Sequence, residues 1–180
     1  PIREPGSSQG YHAMTYGWLV GELIRRVDGR STGKYFQEEI AIPLGIDFHI
    51  GLQESDFKRC ADMIMIGTNP GSLMPPINFI RYIPNILIPK KLKNFKSAIE
   101  GGDFLMAFQG RDDMGIDGPN LPDWRMAEIP SANGHGSAKS LAKLYGILSN
   151  GCQRDGVSIM QPEILARSIT PYSSGPDTVL

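Results

Sequence analysis

Cysteine is scarce in this 180-residue sequence: Cys60 and Cys152 are the only two. They form no CxxC pair and no histidine pair stands near them, so neither a zinc site nor a disulfide framework is expected. Two free thiols fit a reducing compartment, and an intracellular setting is the expectation. No metal and no organic cofactor is implied. An excess of charge is missing too. Eighteen Lys and Arg balance 19 Asp and Glu, for a net charge of −1. A nucleic-acid partner is not expected, because a polyanion selects a basic surface. Long hydrophobic runs are also absent. The most apolar stretch, 77–89, contains Arg81, Pro84 and Pro89 and falls short of the ~20 apolar residues that cross a bilayer. Lys90-Lys91-Leu92-Lys93 follows it. Proline breaks helix and strand alike, so a buried or partner-covered connection is favoured here over a membrane-touching loop with a basic rim. No basic-then-apolar leader follows Pro1, so no signal peptide is predicted, and both ends read as cuts through a longer chain.

What the sequence does have is 41% hydrophobic residues, enough for a packed core. Residues 1–11 are rich in Pro, Gly and Ser and are predicted loop. A first helix is predicted from Thr15 as N-cap to Asp28-Gly29. Tyr16, Val20, Leu23, Ile24 and Val27 form its predicted buried stripe, with Glu22, Arg25 and Arg26 on the wet face. Ser31 or Thr32 caps a second helix with Phe36 and Ile40 inside, and Pro43 is expected to stop it. Phe48 to Leu52 reads as a strand. Residues 54–66 fit helix and strand equally. From Gly67 to Pro130 the sequence is irregular, with short helices hinted at Phe95, Ile99, Leu105 and Phe108. Ser131 to Gly136 reads as a tight turn. Ser137 then caps a helix whose Leu141, Leu144, Tyr145 and Leu148 share one face, and Asn150-Gly151 closes it. Pro162 opens a last short helix that Pro171 ends.

Chemistry concentrates in Gly10-Tyr11-His12-Ala13-Met14-Thr15-Tyr16-Gly17-Trp18-Leu19-Val20-Gly21. This segment resembles the second catalytic motif of the serine β-lactamase-like family, a Tyr-x-Asn followed by an aromatic-Gly helix. That family includes class C β-lactamases, penicillin-binding carboxypeptidases and related esterases. Val27 to Ser31, Ile42-Pro43-Leu44-Gly45-Ile46, Ile129 to Ala138 and Leu141 to Gly151 resemble further family segments in the same order. The likeness covers most of the chain, with a gap over about 67–123, an irregular insertion-like region. It implies an α+β fold of the β-lactamase/transpeptidase type. Residues 1–180 would then form part of a single domain and supply mainly its helical region. Such a piece is expected to be marginally stable by itself.

The resemblance also implies a serine hydrolase acting on an ester or amide through an acyl-enzyme. A serine hydroxyl attacks poorly until a base takes its proton. By motif position Tyr11 is the catalytic residue that assists, beside a family Ser-x-x-Lys expected upstream of this segment. Ala13 stands where the family has Asn, which leaves a non-catalytic scaffold or assembly protein as the alternative. His12 and His135 lack an Asp or Glu at triad spacing, and a tight turn accounts for His135 between two glycines. Ser140-Leu141-Ala142-Lys143 spells Ser-x-x-Lys but lies after Tyr11, inside a helix already capped. Lys139 and Lys143 are predicted to form a solvated face. The family's third motif, Lys-Thr-Gly or His-x-Gly, is not found and is expected beyond Leu180.

Overall fold

The computed structural model describes residue 4 and residues 6–64, 82–93, 96–97, 100 and 118–177. Its first element is α1 (Thr15–Asp28). Thr15 does not cap it. Met14 occupies the N-cap with helical backbone and no side-chain bond. The Thr15 hydroxyl is instead 2.8 Å from His12 Nδ1. At the far end Gly29 takes φ +89°, a left-handed turn that glycine adopts without a Cβ penalty. Arg25 and Arg26 both hydrogen-bond Glu22. These bonds, Arg25 first, draw the Glu22 carboxyl down to about 2.

The buried face of α1 is not the predicted stripe. Tyr16, Leu23 and Val27 face solvent, Val27 at 81% exposure. Gly17 is the residue the helix buries, while Val20, Gly21 and Ile24 are half-buried. These four follow the i, i+3, i+4, i+7 spacing of one face.

After the Ser31 cap, α2 (Thr32–Phe36), a π-helical turn (Gln37–Ala41) and α3 (Ile42–Leu44) run on without a break. The Ser31 hydroxyl accepts from the Lys34 amide, a cap that contributes ~1 kcal/mol. Pro43 therefore does not stop the helix. It directly follows the π-helical turn, where the Ile42 amide reaches back five residues to Gln37 O and the regular α ladder is already interrupted. The stop comes at Gly45, φ +57°. There the Gly45 amide bonds Ile42 O and the Ile46 amide bonds Ala41 O, the paired closure of a Schellman end.

Strand β1 (Phe48–Ile50) pairs antiparallel with β2 (Gly134–Gly136), placing His49 opposite His135. The predicted turn over Ser131–Gly136 is thus a turn only in its first part and a strand in its second. The glycines are required by the neighbour. A Cβ at 134 would lie 2.5 Å from the Phe48 ring, and one at 136 would strike the same ring. Residues 54–59, open between helix and strand, form a 3-10 helix (Glu54–Arg59); residues 65–66 lie outside the described set.

In the irregular region, α4 (Pro122–Met126) forms with Pro122 in its first turn. The short helices hinted at Phe95, Ile99, Leu105 and Phe108 lie outside the described residues. Helix α5 (Ala138–Ser149) begins at the Ser137 cap, whose hydroxyl accepts from the Ser140 amide. Its inner face is Ser140, Leu144 and Ile147; Leu141 and Tyr145, predicted inside, are exposed. Beyond it, β3 (Gln153–Arg154) and β4 (Val157–Ser158) make a hairpin. Asp155 at φ 52° and Gly156 at φ 81° fill the two-residue turn, the pairing a type I′ hairpin demands. Helix α6 (Pro162–Ser168) follows. Cys60 and Cys152 are both free thiols.

Among the described residues, two small cores hold this α+β arrangement. Ala41, Leu44, Ile46 and Ile147 form one, with Phe36, Ile40 and Phe48 against it. Each buried Leu or Ile there contributes ~1.5–3 kcal/mol. Ala13, Met14 and Ile129 form the other, with Trp124 and Ala127 against it. Among the described residues no helix is long and apolar enough to cross a membrane.

Candidate active site around Tyr11

Tyr11 lies in the loop that leads into α1, and 46% of it is exposed. It is not part of either core. Two neighbours along the chain anchor that position from within. Ala13 and Met14 are buried against Ile129, so the backbone on the C-terminal side of Tyr11 is held. On the other side Gln9 forms a parallel bridge with Asp177. Its side-chain amide donates to Gly175 O at 2.5 Å. The Tyr11 amide itself donates to Asp177 Oδ1 at 3.3 Å. Segments 166 residues apart in sequence thus fix one short loop.

The floor beneath α1 is the turn at Pro130–Ala132. Ser131 Oγ donates to Met14 O at 3.2 Å. The turn is tied by buried Asn133, whose Oδ1 accepts from the Ile129 amide and whose Nδ2 donates to Trp124 O and Ala127 O. Three satisfied hydrogen bonds at one buried amide fix this turn with little freedom. Nothing in the sequence marks Asp177 as a partner of Tyr11. Asn133 carried a signal, since Asn readily bonds nearby backbone in a glycine-rich turn.

Ala13 is turned into the core. An Asn there would bring a larger, polar amide in among Met14 and Ile129. Ala13→Asn is expected to lower stability by about 1–3 kcal/mol without raising hydrolysis. Urea unfolding of the two proteins checks the first part, an ester assay the second.

The Ser140-x-x-Lys143 pair is occupied elsewhere. Ser140 Oγ accepts from the Asp47 amide at 3.2 Å and from the Ser137 hydroxyl at 2.9 Å. Lys143 Nζ donates to Leu44 O and lies 3.5 Å from Gly45 O. Lys143 therefore does not belong to a solvated face. It neutralises the negative end of α3, a favourable place for a cation. The pair fastens α5 to the 44–47 turn.

His12 is exposed and bonded to Thr15. His135 is in β2, and its Nδ1 is shielded from solvent with no hydrogen-bond partner. Burial pushes its pKa down, against an opposing hydrogen bond that its ring N–H donates to the Asn133 backbone, with Arg125 and His49 adding to the fall. Across the ladder, His49 bonds Gln37 and Asp47. The Arg59 guanidinium, then His49, hold the Asp47 carboxyl below the usual range. The lowered pKa of folded His135 sets the direction of its effect on stability. The unfolded chain takes up its proton near pH ~6.5, before the folded one does. Stability is complete above that pH and falls as the pH drops through it toward the lowered folded value. In urea melts between about pH 8 and pH 5, His135→Gln is expected to flatten this decline relative to the natural chain.

A sequence profile of the Beta-lactamase family matches residues 1–179. The chain belongs to the beta-lactamase family. It is 33% identical over 167 residues to the "Esterase/beta-lactamase LipL" of Mycobacterium tuberculosis, covering 92% of this chain and 35% of that protein. The crystal structure of a penicillin-binding protein homolog from Caulobacter crescentus superposes with a TM-score of 0.68. It shares 34% identity and is matched over 100% of this chain and 41% of its own. A family VIII carboxylesterase gives a TM-score of 0.63 at 30% identity, over 92% of this chain and 37% of its own. This beta-lactamase-family chain thus spans little more than a third of the relatives it matches, and its fold is β-lactamase/transpeptidase-like. Tyr11, Ala13 and the 129–138 segment all lie within the matched range.

Proposed function

We propose that this chain carries the tyrosine side of an active site that hydrolyses an ester or amide through an acyl-enzyme. One observation carries the proposal. The Tyr11 loop is held at both flanks, by Ala13 and Met14 in the core and by Asp177 at its amide, while the Tyr11 side chain stays half open to solvent. A group that must exchange a proton with a bound substrate needs that combination of fixed backbone and accessible tip. The attacking serine belongs to a Ser-x-x-Lys that precedes Tyr11 in the family's order. Esters are the favoured substrates, since one relative is named an esterase/beta-lactamase and another a carboxylesterase.

A second reading is a non-catalytic scaffold of the same fold, favoured by Ala13 standing in the core where the family motif has Asn. A fluorescent fluorophosphonate probe separates the two. The hydrolase reading expects covalent labelling of the full chain that a Ser-x-x-Lys serine-to-alanine change removes. A full chain that stays unlabelled and turns over no ester leaves the scaffold.

A further inference from the structure

Most of the described residues of 82–93 are exposed in this chain. Among them Ile88 is buried and Ile83 half-buried. Ile86 is 91% exposed, Tyr82 81% and Leu87 70%. A turn sets them outward: the Leu87 amide bonds Pro84 O at 2.9 Å and the Ile88 amide bonds Asn85 O at 3.4 Å. The turn is gripped from below. Buried Lys96 donates to Ile83 O at 2.5 Å and to Asn85 Oδ1 at 2.9 Å, and lies 3.3 Å from Glu100. Lys96 therefore spends its charge inward, and the apolar tip sits on a held base.

Beside the tip, the 3-10 turn Lys90–Leu92 and Lys93 follow. Lys90 and Lys93 are exposed and flank a half-open Leu92. Residues 82–93 contain three lysines and no acidic residue, in a chain whose net charge is −1. An apolar tip with a rim of one sign complements one kind of surface: acyl chains just below a layer of negative headgroups. We infer that the 82–93 loop docks reversibly on an anionic phospholipid bilayer. The inference is independent of the proposed hydrolysis.

The test is flotation of the full chain with vesicles of phosphatidylcholine alone or with about one-third phosphatidylglycerol. The protein is expected to float with the anionic vesicles only. Each lysine near such a surface strengthens binding about fivefold, so K90Q/K93Q is expected to weaken it about 25-fold. I86E/L87E is expected to abolish it. L19E/L23E, which alters the exposed apolar face of α1, is expected to leave it unchanged. Circular dichroism verifies that each variant is folded, and the two lysine changes touch no buried contact. No flotation with anionic vesicles overturns the inference. Equal binding to neutral vesicles does the same, as does binding lost in L19E/L23E but kept in I86E/L87E.

Discussion

Replacing Tyr11 by Phe is expected to lower kcat on an activated ester by about 100-fold or more, with KM little changed. Removing one positioned proton-transfer group costs that much. The phenyl ring keeps the shape of the loop, and the amide that meets Asp177 Oδ1 belongs to the backbone. A fall in kcat alone marks an interaction made in the transition state. A fall confined to KM would instead make Tyr11 a substrate contact. Steady-state kinetics on the full chain distinguishes the two, and a melting curve beside it verifies that stability has not moved.

Replacing Gly17 by Val is the second large effect, and it acts on stability. A Cβ at position 17 would lie 2.5 Å from Ser131 Oγ and 2.6 Å from Ser131 N. The backbone there cannot yield easily, because the Ala132 amide bonds Ile129 O and Asn133 ties the same turn. Overpacking of this kind costs about 3 kcal/mol, outweighing the gain in helix propensity from losing a glycine. Urea denaturation is expected to show the midpoint lowered with an unchanged slope. The same strain pushes α1 off the Ser131 turn and displaces Tyr11, so activity is expected to fall before the protein unfolds. The two variants are expected to separate chemistry from support: Tyr11→Phe is expected to lose mainly rate, and Gly17→Val both rate and stability.

Local signals in the sequence were dependable where one residue type has one use. Gly29, Ser31 and Ser137 end or begin helices where their chemistry puts them. Free cysteines at 60 and 152 were likewise legible. The buried faces were not. Helix α1 has apolar residues at 16, 19, 23 and 27 as well as at 20 and 24, and periodicity cannot choose between two apolar faces. The close approach of Ser131 to Gly17 decides it, and that contact joins residues over a hundred positions apart. Helix α5 repeats the lesson, with Ile147 inside and Tyr145 outside.

Glycine misled in the opposite direction. Gly134 and Gly136 read as turn residues, yet they serve a strand that must admit the Phe48 ring. The hairpin at 153–158 was within reach, since Asp155-Gly156 is a strong two-residue turn signal. Of the candidate site, Tyr11 came from motif resemblance and Ala13 from its departure from that motif. Asp177 and the burial of Ala13 came only from tertiary structure.

The most direct measurement is a crystal structure of the full chain with a phosphonate bonded to its reactive serine. The expected result is the Tyr11 hydroxyl about 2.6–3.2 Å from the bonded seryl oxygen. A phenol turned away from that oxygen, with another side chain in its place, would contradict the assignment of Tyr11.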